Sequence, residues 1–133
     1  MDIRQYLGKP WLAGADGPDA YDCMSFARMI QERHFGISMP RIVAPDYKDG
    51  VAFLRDICGQ EDWTSSWVKV PAPAHGDLVV IRKPIHLGVW IKNDGGGTLH
   101  CAMGHGVIFT PDAAWRVSGF GRRDFYRHAS GGV

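Results

Sequence analysis

The chain has 133 residues, 45% of them hydrophobic and 22% charged, and a net charge of +1 from 15 basic and 14 acidic side chains. These values fit a single globular domain over residues 1–133 and exclude a disordered, coiled-coil or collagen-like chain. No apolar run approaches the roughly 18 residues of a transmembrane helix, the start Met1-Asp-Ile-Arg-Gln-Tyr6 lacks a secretory pattern, and the even charge balance argues against nucleic acid as a partner.

Taken in chain order, residues 2–7 read as a short first helix ended by Gly8-Lys9-Pro10. Residues 13–21 are dense in turn formers and read as a loop. Asp22 is a good N-cap and Gly36 a good stop, which predicts a helix between them. Cys23, Phe26, Ala27 and Ile30 stand at i, i+3, i+4 and i+7 on one inward face. Tyr47 to Ile57 is a second helix candidate, closed by Cys58-Gly59, and Gln60 to Ser66 reads as loop. From Trp67 onward the pattern changes to short strands: Trp67–Val70, Asp77–Arg82, His86–Lys92, Thr98–Met103, Gly106–Thr110 and Arg123–Arg127, with Asn93–Gly97 as a hairpin turn. Residues 129–133 read as a flexible tail. Helices followed by an antiparallel sheet define an α+β chain.

Three cysteines, Cys23, Cys58 and Cys101, make no disulfide framework, and no C-x-x-C pair is present. A thiol in the first turn of a helix faces free backbone N–H groups and the positive end of the dipole, which favour the thiolate. The same N–H groups can hold an oxyanion. A buried cysteine can equally be a small hydrophobe. A cysteine nucleophile needs a base, usually histidine, and a polar group to orient it.

Of six histidines, His34 lies at the far end of the cysteine's own helix, about 16 Å away. His75 precedes a strand and His128 lies toward the tail, and both are expected to be solvated. His86 opens one strand, and the Asn93–Gly97 turn brings back His100 on the next. A turn centred on Gly95 sets residue 100 opposite 90, and a shifted register moves it toward 88 or 86. Position parity places His86 and His100 on one face. A zinc site from His86, His100, Cys101 or His105 is the competing reading, weakened because Cys101 points away from His100. Neither a metal nor any other cofactor is expected.

These residues resemble a known family. The stretch Gly17-Pro-Asp-Ala-Tyr-Asp-Cys-Met-Ser25, a helix and Gly36-Ile-Ser-Met-Pro40 is similar to the nucleophile motif of NlpC-like cell-wall peptidases. Gly76-Asp-Leu-Val-Val80, His86-Leu-Gly-Val-Trp-Ile91 and Leu99-His-Cys-Ala102 resemble the family's following strands, in the same order. The resemblance implies a papain-like fold, with N-terminal helices on a C-terminal antiparallel sheet or half-barrel. It implies Cys23 as nucleophile, His86 as base and His100 as orienting residue. Asp22 matches an acidic position that contacts the substrate amine. Met24 and Ser25 stand where the family has Ser-Gly, and Trp11 stands where a tyrosine is common. Trp11, Asp22, Met24 and Ser25 are thus the expected substrate-binding residues. The 41–75 segment resembles an insertion that shapes the groove.

The activity implied is hydrolysis of the γ-D-glutamyl–diamino-acid bond of peptidoglycan stem peptides. The Gly17–Cys23 loop and the Gly119-Phe-Gly-Arg-Arg-Asp-Phe-Tyr126 run are similar to phage-tail members. That implies other tail proteins as partners and a place in the virion tail, or in the bacterial cytoplasm before assembly. A structural tail subunit of the same fold, and an amidase or acyltransferase, are the alternatives.

Overall fold

The computed structural model describes residues 1–39, 67–82 and 85–129. The helix candidate at 47–57, Cys58, the loop at 60–66, most of the 41–75 segment and the end of the tail lie outside the described residues. The architecture is α+β: among the described residues, one long helix packs on a six-stranded antiparallel sheet.

Helix α1 spans Cys23–Phe35. Asp22 has extended backbone angles, and its side chain accepts from the Ser25 N–H at 2.7 Å, satisfying one of the N–H groups that a helix start leaves open. Gly36 ends the helix in the left-handed conformation (φ 66°). Arg33 and His34 occupy the last turn, where the dipole favours positive charge. Cys23, Phe26, Ala27 and Ile30 are all buried, as the spacing predicts.

The strands are β1 (Trp67–Val70), β2 (Leu78–Arg82), β3 (Ile85–Ile91), β4 (Gly97–Ala102), β5 (Gly106–Pro111) and β6 (Arg123–His128). Their order across the sheet is β1-β6-β2-β3-β4-β5. A one-turn helix, α2 (Asp112–Trp115), follows β5 directly; the sequence gives it no cap signal, and its N-cap is Pro111. None of the helices described is long and apolar enough to cross a membrane.

Strand alternation divides the buried residues into two layers. On the α1 face, Leu78, Val80, Leu87, Val89, Ile91, Leu99 and Cys101 pack with Cys23, Phe26, Ala27 and Ile30. On the other face, Val79, Ile81 and Trp115 pack with Trp90, Phe120 and Phe125. Burying each large aliphatic side chain contributes about 1.5–3 kcal/mol, so the first layer supplies most of the apolar stabilisation.

The Gly76-Asp77 pair has a structural explanation. Gly76 has φ +96°, and a Cβ there would meet the Phe35 ring at 2.8 Å. Asp77 accepts both arms of the Arg127 guanidinium, at 3.0 and 2.8 Å, and the Ala74 N–H at 2.7 Å, tying β2 to β6.

The N-terminus departs from expectation. Residues 4–8 form turns rather than a helix. Asp2 takes the Arg4 side chain, and Gly8 and Lys9 exchange backbone bonds with Val107 on β5. Ile3 O accepts from Tyr6 N and Leu7 N within these turns, the sheet edge ties down Gly8 and Lys9, and so short a helix would gain little. The 13–21 loop doubles back, so that Trp11 bridges to Tyr21 and Ala15 O accepts from Asp22 N.

Candidate active site

β3 and β4 pair with Gly88 opposite His100. The turn between them is a 3₁₀ turn over Asn93–Gly95, with Asp94 at φ 52° and Gly95 and Gly96 also at positive φ. It shifts the register by two residues from one centred on Gly95 and keeps the parity. His86 and His100 therefore lie diagonally on one face, as parity predicts.

Their side chains meet. His86 Nε2 and His100 Nδ1 are 2.8 Å apart, with the rings stacked at a centroid distance of 5.0 Å. His100 Nε2 lies 3.0 Å from Thr110 Oγ1. Gly88 makes the approach possible: a Cβ there would meet Thr98 Cγ2 at 2.7 Å, His100 Cβ at 3.0 Å and the Leu99 carbonyl at 3.1 Å.

An aromatic wall closes the pair on its outer side. Phe120 sets its edge against His86, His100 and His105, and Trp115 lies 5.8 Å from His100. Arg123 holds the wall in place. It donates to Asp112 at 2.6 Å and to Thr98 at 3.1 Å, and its guanidinium covers the Trp115 ring at 4.3 Å. Trp90 Nε1 donates to the other oxygen of Asp112 at 3.0 Å. Beyond the wall lies an open cleft of about 530 Å³ that includes Arg116, Arg122 and Phe125.

Burial pushes the His100 pKa well below its ordinary 6.5, and the charges of His86, His105 and Arg123 act in the same direction. His100 is therefore a neutral imidazole with both nitrogens in polar contact.

Cys23 is the first residue of α1 and belongs to the apolar layer on the α1 face. The histidine pair belongs to the opposite layer, with Phe120 and Trp115. Cys101 marks where the layers adjoin. It follows His100 in β4, points to the α1 face, and its thiol donates to the Tyr21 carbonyl at 3.3 Å. The loop leading into Cys23 thus lies over the β4 residue next to His100. Burial, with the nearby Asp22 carboxylate, pushes the Cys101 thiol up to about 12.

The residues expected to bind substrate are placed unequally. Asp22 is buried and spends one carboxylate oxygen on the Ser25 N–H. Trp11 is half-buried beside Tyr21, two residues before Cys23. Ser25 is half-buried in the first turn. Met24 is buried and belongs to the apolar layer on the α1 face.

The other histidines also differ in part from expectation. His128 lies in β6, paired with Trp67, rather than in the tail. His75 is half-buried; its Nδ1 accepts from the Lys92 N–H, and its ring meets Phe35. His34 lies 2.7 Å from the Tyr6 hydroxyl. Among the described residues, no three His, Cys, Asp or Glu side chains gather as a metal site.

Thr110, Trp115, Phe120 and Arg123 were not singled out as site residues from the sequence. Thr110 carried a usable signal: it stands two residues from the partner of His100 in β5, on the same face. No protein-family model and no curated protein matches the chain.

Proposed function

We propose that this chain is a cysteine hydrolase of the papain-like, NlpC type, acting on the γ-D-glutamyl–diamino-acid bond of peptidoglycan stem peptides as a component of a phage tail. The observation that carries the reading is the buried His86–His100 pair, 2.8 Å apart. A buried imidazole pair costs desolvation that an apolar pair would avoid, so its presence calls for a task. Orienting a general base is such a task.

In this mechanism His86 takes the proton of Cys23, and the thiolate attacks the scissile carbonyl. N–H groups at the start of α1 stabilise the oxyanion, His86 protonates the leaving amine, and water releases the acyl group. His100 keeps the His86 ring in orientation. The mechanism requires Cys23 and His86 to meet around the end of β3, where His86 is the second residue.

A second reading is favoured by burial: Cys23, His86 and His100 expose 1%, 3% and 0% of their surface. A structural tail subunit would keep such a site closed. Digestion of purified peptidoglycan, with products identified by mass spectrometry, separates the two. Release of stem-peptide fragments by wild type and not by Cys23→Ala supports the hydrolase. No release by protein of verified fold removes it, and cleavage at the sugar–peptide amide makes the activity an amidase instead.

A further inference from the structure

The buried polar chain does not end at the two histidines. Thr110 Oγ1 is buried at its far end, 3.0 Å from His100 Nε2. A neutral imidazole has one proton for two nitrogens, so two imidazoles and a hydroxyl have two self-consistent arrangements. In the first, His86 Nε2–H donates to His100 Nδ1, and His100 Nε2–H donates to Thr110. In the second, the hydroxyl donates to His100 Nε2, and His100 Nδ1–H donates to His86 Nε2. The first leaves the basic lone pair on His86 Nδ1; the second puts a proton there.

One state admits only the first arrangement. When His86 is an imidazolium, both its nitrogens carry protons. His100 Nδ1 must then accept, His100 Nε2 must donate, and Thr110 must accept. His100 can serve in this way because it stays neutral, buried among Trp115 and Phe120 with the Arg123 guanidinium nearby.

We propose that Thr110 is a positioning residue whose hydroxyl, by accepting from His100 Nε2–H, holds the histidine pair in the arrangement that keeps His86 Nδ1 basic and accommodates its imidazolium. The consequence for catalysis rests on the cysteine-hydrolase reading; the tautomer of His100 does not. Valine at this position has a similar shape and no acceptor. A buried N–H without a partner is rarer and costlier than a buried lone pair without one. In Thr110→Val the pair therefore settles in the second arrangement, and in Thr110→Ser it keeps the first.

The test is ¹⁵N spectroscopy of histidine-labelled full chain at neutral pH without substrate. Wild type and Thr110→Ser should show His100 protonated at Nε2 and bare at Nδ1, and Thr110→Val the reverse. If Thr110→Val does not fold, Thr110→Ala, with its fold checked by melting, supplies the second variant lacking the hydroxyl. His100 protonated at Nδ1 in wild type, or an unchanged tautomer in a folded variant lacking the hydroxyl, overturns the proposal. In peptidoglycan hydrolysis the valine variant should lose about ten- to a hundredfold in kcat with KM unchanged, and serine should restore it. The tautomer exchange without any hydrolysis by wild type leaves the placement of Thr110 standing and removes the hydrolase reading. Loss of kcat without the exchange supports the hydrolase and overturns the role of Thr110.

Discussion

The two faces of the sheet are built from the same strands in opposite ways. Toward α1, β3 and β4 present Leu87, Val89, Ile91, Leu99 and Cys101, a layer of apolar packing in which the Cys101 thiol donates to the Tyr21 carbonyl. Away from α1, the alternate positions are His86, Trp90, Thr98 and His100, joined by Thr110, Asp112 and Arg123 in hydrogen bonds of 2.6–3.1 Å. An aliphatic layer there would fold the same strands without desolvating polar groups. The α1 face accounts for the fold, and the opposite face is where chemistry or specificity must be sought. Cys23 stands in the first layer and the histidines in the second, so the proposed reaction has to join them.

The largest effect expected is on that joining. Cys23→Ala should lower peptidoglycan hydrolysis about a thousandfold or more, because no other group replaces a nucleophile. His100→Ala should cost less, about ten- to a hundredfold, since packing and water can partly hold the His86 ring. His100→Asn should retain more activity than His100→Ala, because its amide oxygen can still accept from an imidazole N–H. Rates measured under single-turnover conditions rank the three, and equal rates in all variants would end the assignment of roles.

Thiol reactivity probes the same joining without substrate. Limiting iodoacetamide should label Cys23 before Cys101, whose thiol is pushed up to about 12 by burial. If His86 acts on Cys23 around the end of β3, His86→Ala should slow labelling of Cys23 about tenfold. An unchanged rate, with folded protein, would mean that the sheet keeps the two layers apart.

Gly88 holds the second layer together by having no side chain. Its Cβ would strike Thr98 Cγ2, His100 Cβ and the fixed Leu99 carbonyl, so Gly88→Ala cannot be absorbed by one flexible side chain. It should destabilise the chain by about 1–3 kcal/mol, read as a lower urea midpoint with an unchanged slope. Gly36→Ala, where nothing lies within 4 Å, separates crowding from loss of backbone freedom, since only φ +66° opposes that change.

What the sequence revealed follows from how local each signal is. The ends of α1 were legible because Asp22 and Gly36 act within one turn of their own positions. The strands and the shared parity of His86 and His100 were legible because side chains alternate along a strand. Parity leaves His100 opposite residue 90, 88 or 86, and the choice of Gly88 is made by three consecutive positive-φ residues, Asp94, Gly95 and Gly96, which set the turn. Residues 4–8 form turns instead of a helix because Gly8 and Lys9, where the segment ends, bond to Val107, which is distant in sequence. The aromatic wall was illegible for the same reason: Phe120 and Trp115 reach the histidines only through the β4–β5 pairing and the short α2.

The smallest effect expected is on the pH dependence of stability. The pKa of His100 is held well below 6.5 in the folded chain by burial first, and then by its charged neighbours. Below pH 6.5 the unfolded chain takes up a proton at this residue that the folded chain refuses. More protons bound in the unfolded state means that stability rises with pH. The contribution of His100 is therefore complete above 6.5 and is lost as pH falls through that value toward the lowered folded one. The slope for one proton is at most about 1.4 kcal/mol per pH unit. His34 and His75, also lowered by burial first, add smaller slopes of the same sign. Cys101 has its folded value raised to about 12, so it adds no slope in this range. Urea midpoints measured between about pH 5 and 7.5, above the main carboxylate range, should fall on acidification in wild type and less steeply in His100→Asn. A wild-type profile as flat as that of the variant would mean that the second layer admits the proton, and that His100 is not the neutral acceptor on which the orientation of His86 depends.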